Sequence, residues 1–336
     1  MANHLEHQSF TLSNKSGNKA ELLNFGATLQ SLTIKDKTGQ VQDIVLGYDE
    51  GSSYARESRN YFGATIGRIA GRVSKGGYAY NGQYYPLEQN HGPYHIHGGV
   101  DAMSHQFWKG EHQKIHDQEQ VVFTYQSPDG ENGYPGNLSV CVTYAWTNDN
   151  HLRILIEAQT DQTTPLAMTN HAYFNLNGTG SRDIQNLILQ IEADHCMAVH
   201  PDLGHTGEII TVEGLPDDFR SPLPISERLM EIHKSHGSMY VFQSASTFGK
   251  RATLTSLNTG IQMEVWSNQK YMQFYTGEHL SDISGKKGAV YGSFAGACFE
   301  CQGYPDALNF PDLDSIFLNP GVIYNNQTEY RFSILS

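Results

Sequence analysis

Two histidines and a carboxylate, His97, His171 and Glu300, each sit in a short apolar stretch that reads as strand. His97 ends the run His-Ile-His in the island Asn90 to Gly99. His171 lies in Asn-His-Ala-Tyr-Phe-Asn-Leu over 170–176, and Glu300 in Cys-Phe-Glu-Cys-Gln over 298–302. An ordinary histidine, with a pKa of about 6.5, both gives and takes protons near neutrality. A carboxylate between Phe299 and Cys301 is costly to bury without a partner, so it is either paired structurally or works as a base. A fold that brought the three together would set a protonatable acid opposite an ionised base. That pairing can open and close a sugar ring with no cofactor.

Other chemistries use some of the same residues. His95 and His97 at i and i+2 point to one face if the segment is a strand, which suits either a metal pair, as in cupin-like His-x-His sites, or a sugar-facing acid. Asp101, four residues on, keeps the metal reading open. A tight glycine-rich loop with hydrogen-bonded histidines is the plain structural alternative. Cys298 and Cys301 have metal-like spacing, but strand alternation puts Cys298 and Glu300 on one face and Cys301 on the other. No second cysteine pair completes a tetrahedral site. The segment Gly63 to Gly76 carries Arg68 and Arg72 among four glycines. It lacks the Gly-Lys-Ser/Thr ending of a phosphate loop, so an arginine in this glycine-rich turn is better read as a fork for sugar hydroxyls. No Gly-x-Ser-x-Gly elbow is present.

The elements that must position these residues are short strands. Tyr78-Ala79-Tyr80 and Gln83-Tyr84-Tyr85 flank Asn81-Gly82, a two-residue hairpin turn. Leu32 to Leu46 forms a second hairpin around Asp36 to Gly39. Ala252 to Leu257 and Gly260 to Trp266 form a third, and Leu152 to Ala158 is a further strand. Ile225 to His236, with Leu229, Ile232 and His236 at helical spacing, reads as one short surface helix. Ser127 to Gly136 packs turn residues so densely that it must be an irregular loop, of the kind that either lines a site or merely joins strands. The expected architecture is all-β: one large antiparallel β-sandwich over 1–336 with few short helices.

Composition narrows the partners. The chain has 336 residues, 38% of them apolar, enough for a substantial core. Its 22 basic and 35 acidic residues give a net charge of −13, which argues against nucleic acid. The N-terminus has no signal-like pattern and no run of about 20 apolar residues occurs, so a cytoplasmic protein without membrane contact is expected. Four cysteines are few and read as free thiols.

Eight ordered segments together resemble the aldose 1-epimerase (galactose mutarotase) family, from about Ala20 to Leu335. They are Gly63 to Gly76, His97-Gly98-Gly99, Ser127 to Leu138, His171 to Leu176, Thr206 to Ile209, Asp218-Phe219-Arg220, Gln273 to Gly277 and Phe299 to Gln302. The resemblance implies a large sandwich with an open sugar cleft, a small-molecule sugar as partner, no cofactor and no metal, and a monomer or homodimer. It implies Glu300 as the base at the anomeric hydroxyl, His171 as the acid at the ring oxygen and His97 as a second histidine polarising the sugar. Arg72, Tyr173 and Gln273 match sugar-contacting positions. Three positions depart from the pattern. Met239 stands where the family carries a hydroxyl-binding aspartate, Glu278 where it carries asparagine, and Gly71 precedes Arg72 in place of asparagine. A preference for a deoxy, anhydro or substituted sugar is therefore expected. A sugar sensor with the same cleft, or a cupin-like metal enzyme, is the alternative.

Overall fold

The computed structural model of the protein describes residues 6–115, 118–200, 204–232, 238–243 and 247–335. Its three main sheets are antiparallel throughout. A four-stranded sheet comprises Ser9–Ser13, Lys19–Leu23, Thr28–Lys35 and Val41–Asp43. A nine-stranded sheet runs in the order Lys109–Ile115, Gln118–Ser127, Leu138–Trp146, His151–Thr160, Tyr324–Ile334, Ile261–Ser267, Gly249–Thr255, Ile188–Ile191, Leu223–Pro224. A six-stranded sheet runs Tyr173–Phe174, Ala297–Gln302, Tyr271–Tyr275, Ser238–Val241, His195–Val199, His205–Thr211. Leu22 and Ile34 of the first, Val142, Ile154 and Val265 of the second, and Phe274 and Phe299 of the third share one apolar core. This is the layered packing expected when each sheet has one apolar face to bury.

The alternation that defines the strands also decides their faces. In Ile261–Ser267, Ile261, Met263 and Val265 are buried, while Gln262 and Glu264 are half-exposed. The hairpin at Asn81-Gly82 forms as expected, with φ of +50° and +78° that a tight turn between right-twisted strands requires. The hairpins after Lys35 and Thr255 and the strand through Leu152 also form. The expected helix is observed over Ser226–Ile232, with Ile225 and Leu229 buried beneath it. The remainder of that span, with His236, lies outside the described residues.

The six-stranded sheet has two unlike faces. Tyr240, Met272, Phe274, Phe299 and Cys301 point into the core. Their neighbours in sequence point the other way, and pairing lines them up in rows. Glu300 pairs with Gln273, and Gln273 with Met239. Cys298 pairs with Tyr173 on one side and Tyr275 on the other. Gln302 pairs with Tyr271. Directly opposed side chains on adjacent strands share a face about 5 Å apart. The sheet thus presents a floor of ordered polar and aromatic rows.

Candidate active site

Segment Gly63 to Gly76 frames this floor by backbone bonding. His171 N–H donates to Ala64 O (2.9 Å), Gly63 N–H to His171 O (3.0 Å), and His97 N–H to Gly71 O (3.1 Å). Gln302 Nε2 donates to Ala70 O (3.0 Å). One segment therefore ties both histidines to the strand that carries Glu300. Two glycines permit the close approach. A Cβ on Gly63 would lie 2.0 Å from Leu29 O, and one on Gly98 would lie 2.0 Å from Gly67 O.

His97, His171, Glu300, Arg72, Tyr173, Gln273 and Met239 all line one cleft of about 580 Å³, a size that suits a small ligand. His171 Nε2 is 3.7 Å from Glu300 Oε1, and both side chains are buried. His171 Nδ1 lies 3.5 Å from Cys298 Sγ. The imidazole is walled by Tyr173 at 5.0 Å, His97 at 5.3 Å and Tyr61 at 6.1 Å between ring centroids. Arg72 is half-buried in the wall, with Glu300 and Glu278 within reach of its charge.

Burial sets the protonation of the pair. It pushes the Glu300 carboxyl up to about 8, with the Arg72 charge opposing. It brings His171 down to about 4. Taken alone, each prefers to be neutral, which places one proton on Glu300. Moving that proton to His171 costs about 5 kcal/mol across the gap of about four pH units. Opposite charges at 3.7 Å attract by about 4 kcal/mol at an effective dielectric of about 20. That attraction offsets much of the cost, and near neutrality the pair holds one proton, which burial favours on Glu300.

His97 is different in kind. Gly71 N–H donates to its Nδ1 at 3.2 Å. That leaves Nε2 carrying the hydrogen, so the ring offers a fixed donor. Burial, with the His171 and Arg72 charges, holds its pKa well below the usual range.

Several expectations are corrected. His95 and His97 do not share a face. The strand His95–Ile96 ends before His97, whose φ of +51° turns its side chain into the cleft. His95 stays behind, bonded to Tyr134 OH (2.6 Å) and Glu88 O (2.8 Å). Asp101 is exposed, and among the described residues no three His, Cys, Asp or Glu side chains converge as a metal-ligand set. Of the two arginines in the glycine-rich segment, Arg72 lines the cleft and Arg68 does not. The Arg68 guanidinium is buried and donates to Ser127 Oγ and to the carbonyls of Pro128, Pro135 and Gly136, clamping the 127–136 loop. Cys298 and Cys301 do lie on opposite faces, and all four cysteines are free. The departures Met239 and Gly71 line the cleft. Glu278 accepts from Thr276 Oγ1 (3.3 Å) beside His279, and burial pushes it up to about 7.

Tyr61, Tyr275 and Gln302 also line the cleft and were not singled out by sequence. Alternation identifies two of them, since Tyr275 follows Gln273 by two residues and Gln302 follows Glu300 by two. Tyr61 has no such signal: it sits at φ +52° in an irregular segment.

The sheet architecture agrees with what comparison with known proteins finds. The family model described as Aldose 1-epimerase matches residues 8–331, and the chain belongs to that family. It is thus an isomerase of the aldose 1-epimerase class. It is 38% identical to galactose mutarotase of Bos taurus, over 94% of this chain and 91% of that one. It is 33% identical to aldose 1-epimerase of Escherichia coli (strain K12), over 97% and 95%. The aldose epimerase homologue from C. elegans superposes with a TM-score of 0.89 at 29% identity, covering 98% of this chain and all (100%) of that one. No helix among the described residues is long and apolar enough to cross a membrane.

Proposed function

We propose that His171 and Glu300 interconvert the α and β anomers of an aldose by shuttling protons at the two ends of its anomeric centre. The observation that carries this reading is the 3.7 Å approach of His171 Nε2 to Glu300 Oε1 inside a buried cleft. Glu300, ionised, takes the proton of the C1 hydroxyl. The C1 oxygen forms a carbonyl, the bond from C1 to the ring oxygen breaks, and His171 gives its proton to that oxygen. The open aldehyde turns about C1–C2, and the steps reverse on the other carbonyl face. His97 Nε2–H steadies the sugar, and Arg72, Tyr173 and Gln273 hold its hydroxyls. A sugar sensor would need no acid opposite a base.

Met239 bears on which sugar. A thioether accepts hydrogen bonds weakly, so a hydroxyl buried against it costs about 1–3 kcal/mol, or about 5- to 150-fold in kcat/KM. An apolar group there gains about 0.8 kcal/mol per methylene. The preferred aldose therefore has no free hydroxyl facing Met239: a deoxy, anhydro or substituted sugar, or an oligosaccharide reducing end. Residues 1–336 work as one unit, as a monomer or homodimer, and the free thiols fit a cytoplasmic setting. Polarimetry on freshly dissolved single anomers tests the reaction. His171→Asn and Glu300→Gln should each slow it by at least ~10²-fold while the fold persists. Near wild-type rates from a folded Glu300→Gln protein would refute the assignment.

A further inference from the structure

Gln302 is fully buried and lines the cleft, yet only half of its amide is used by the protein. Nε2 donates to Ala70 O at 3.0 Å. Because Ala70 O can only accept, the amide cannot be flipped, and Oε1 is held as the inward end. Oε1 is buried and has no hydrogen-bond partner among the described residues. A buried amide carbonyl without a donor is a costly arrangement that native structures rarely keep without use.

Its place on the floor says what donor suits it. Gln302 follows Glu300 by two residues on one strand, so the two side chains share a face about 7 Å apart. Gln273 lies across from Glu300, and Met239 one strand further on. Gln302 thus lies along the strand from Glu300, whereas Met239 lies across the strands, so a sugar ring with C1 at Glu300 presents different positions to the two. A Cβ on Gly71 would stand 2.9 Å from Pro305 Cγ and 3.3 Å from Gln302 Nε2, crowding the donor end of the amide. One direction from Glu300 thus ends on an amide acceptor and the other on a thioether.

We propose that Gln302 is a specificity-determining residue whose Oε1 accepts a hydrogen bond from a sugar hydroxyl remote from C1. The inference rests on the mutarotase reading and adds to it. The substrate class is an aldose that keeps a hydroxyl toward Gln302 while turning a C–H or methyl edge to Met239.

The test pairs Gln302→Met with galactose, glucose and their 2-, 3-, 4- and 6-deoxy forms. In wild type, loss of one particular remote hydroxyl should lower kcat/KM by about tenfold or more. In Gln302→Met that penalty should vanish for the same sugar, while penalties at other positions persist. A variant that slows every sugar by the same factor has only lost the tie to Ala70, and this overturns the proposal. A crystal of wild-type protein soaked in the best sugar gives a reading that needs no variant. A sugar oxygen within about 3.2 Å of Oε1 supports it, and Oε1 bonded only to protein or water overturns it. Were no sugar mutarotated by wild type, the proposed reaction would fall, and the soak would still decide the role of Gln302.

Discussion

The two faces of the six-stranded sheet are built from the same short strands, their residues taken alternately. Phe299 and Cys301 enter the core, whereas Glu300 and Gln302 turn to the cleft. The core face is held by contact area, which tolerates exchange of one apolar side chain for another of like volume. The cleft face is held by register, because Glu300, Gln273 and Met239 face a ligand together only while three strands stay in phase. Stability and chemistry thus share a scaffold, and a substitution reads out on one or the other according to parity.

That contrast can be broken most directly at adjacent positions. Phe299→Ala should lower unfolding free energy by about 3–5 kcal/mol in chemical denaturation while the remaining folded protein keeps its turnover. Glu300→Gln, one residue away, should do the reverse. Equal effects of both on stability would mean that the faces are not separable. A smaller effect is expected in the pH profile. The pair must hold one proton, and it holds two below about pH 4 and none above about pH 8. Turnover should therefore be flat through neutrality and fall on both sides, with the limbs belonging to the pair. A single rise through pH 6.5 would indicate an ordinary histidine acting alone.

The smallest effect sharpens the comparison. Burial raises the Glu300 carboxyl above its unfolded value of 4.5 to about 8. Its protonated form is favoured by the fold, so stability falls as pH rises from about 4.5 to about 8. Glu300→Gln removes that penalty. At pH 8 the variant should melt on the order of 2–5 °C above wild type, part of the penalty being offset by His171, and the difference should vanish near pH 4.5. A variant that melts lower at pH 8 would show that the carboxylate is a structural partner instead.

How far residue patterns alone reach depends on the backbone regime. Where extended strands run, alternation placed Cys298 with Glu300 and apart from Cys301, and Asn81-Gly82 marked its turn. Where the chain takes positive φ, period-two reasoning fails: His97 at +51° leaves the face of His95. Arg68 and Arg72 look alike in a glycine-rich run. Only the position of the 127–136 loop, distant in sequence, separates the clamp from the cleft residue. Tyr61 packs on His97 at 4.8 Å through a contact no local pattern encodes.

The proposed proton exchange between His171 and Glu300 has a consequence for how the enzyme meets its surroundings. In the proposed reaction each turnover takes one proton and returns one within the same two side chains, and a neutral sugar enters and leaves uncharged. No hydrogen ion needs to cross from solvent, and no charge is carried into the cleft. Catalysis should therefore be indifferent to buffer concentration and to ionic strength, despite a surface net charge of −13.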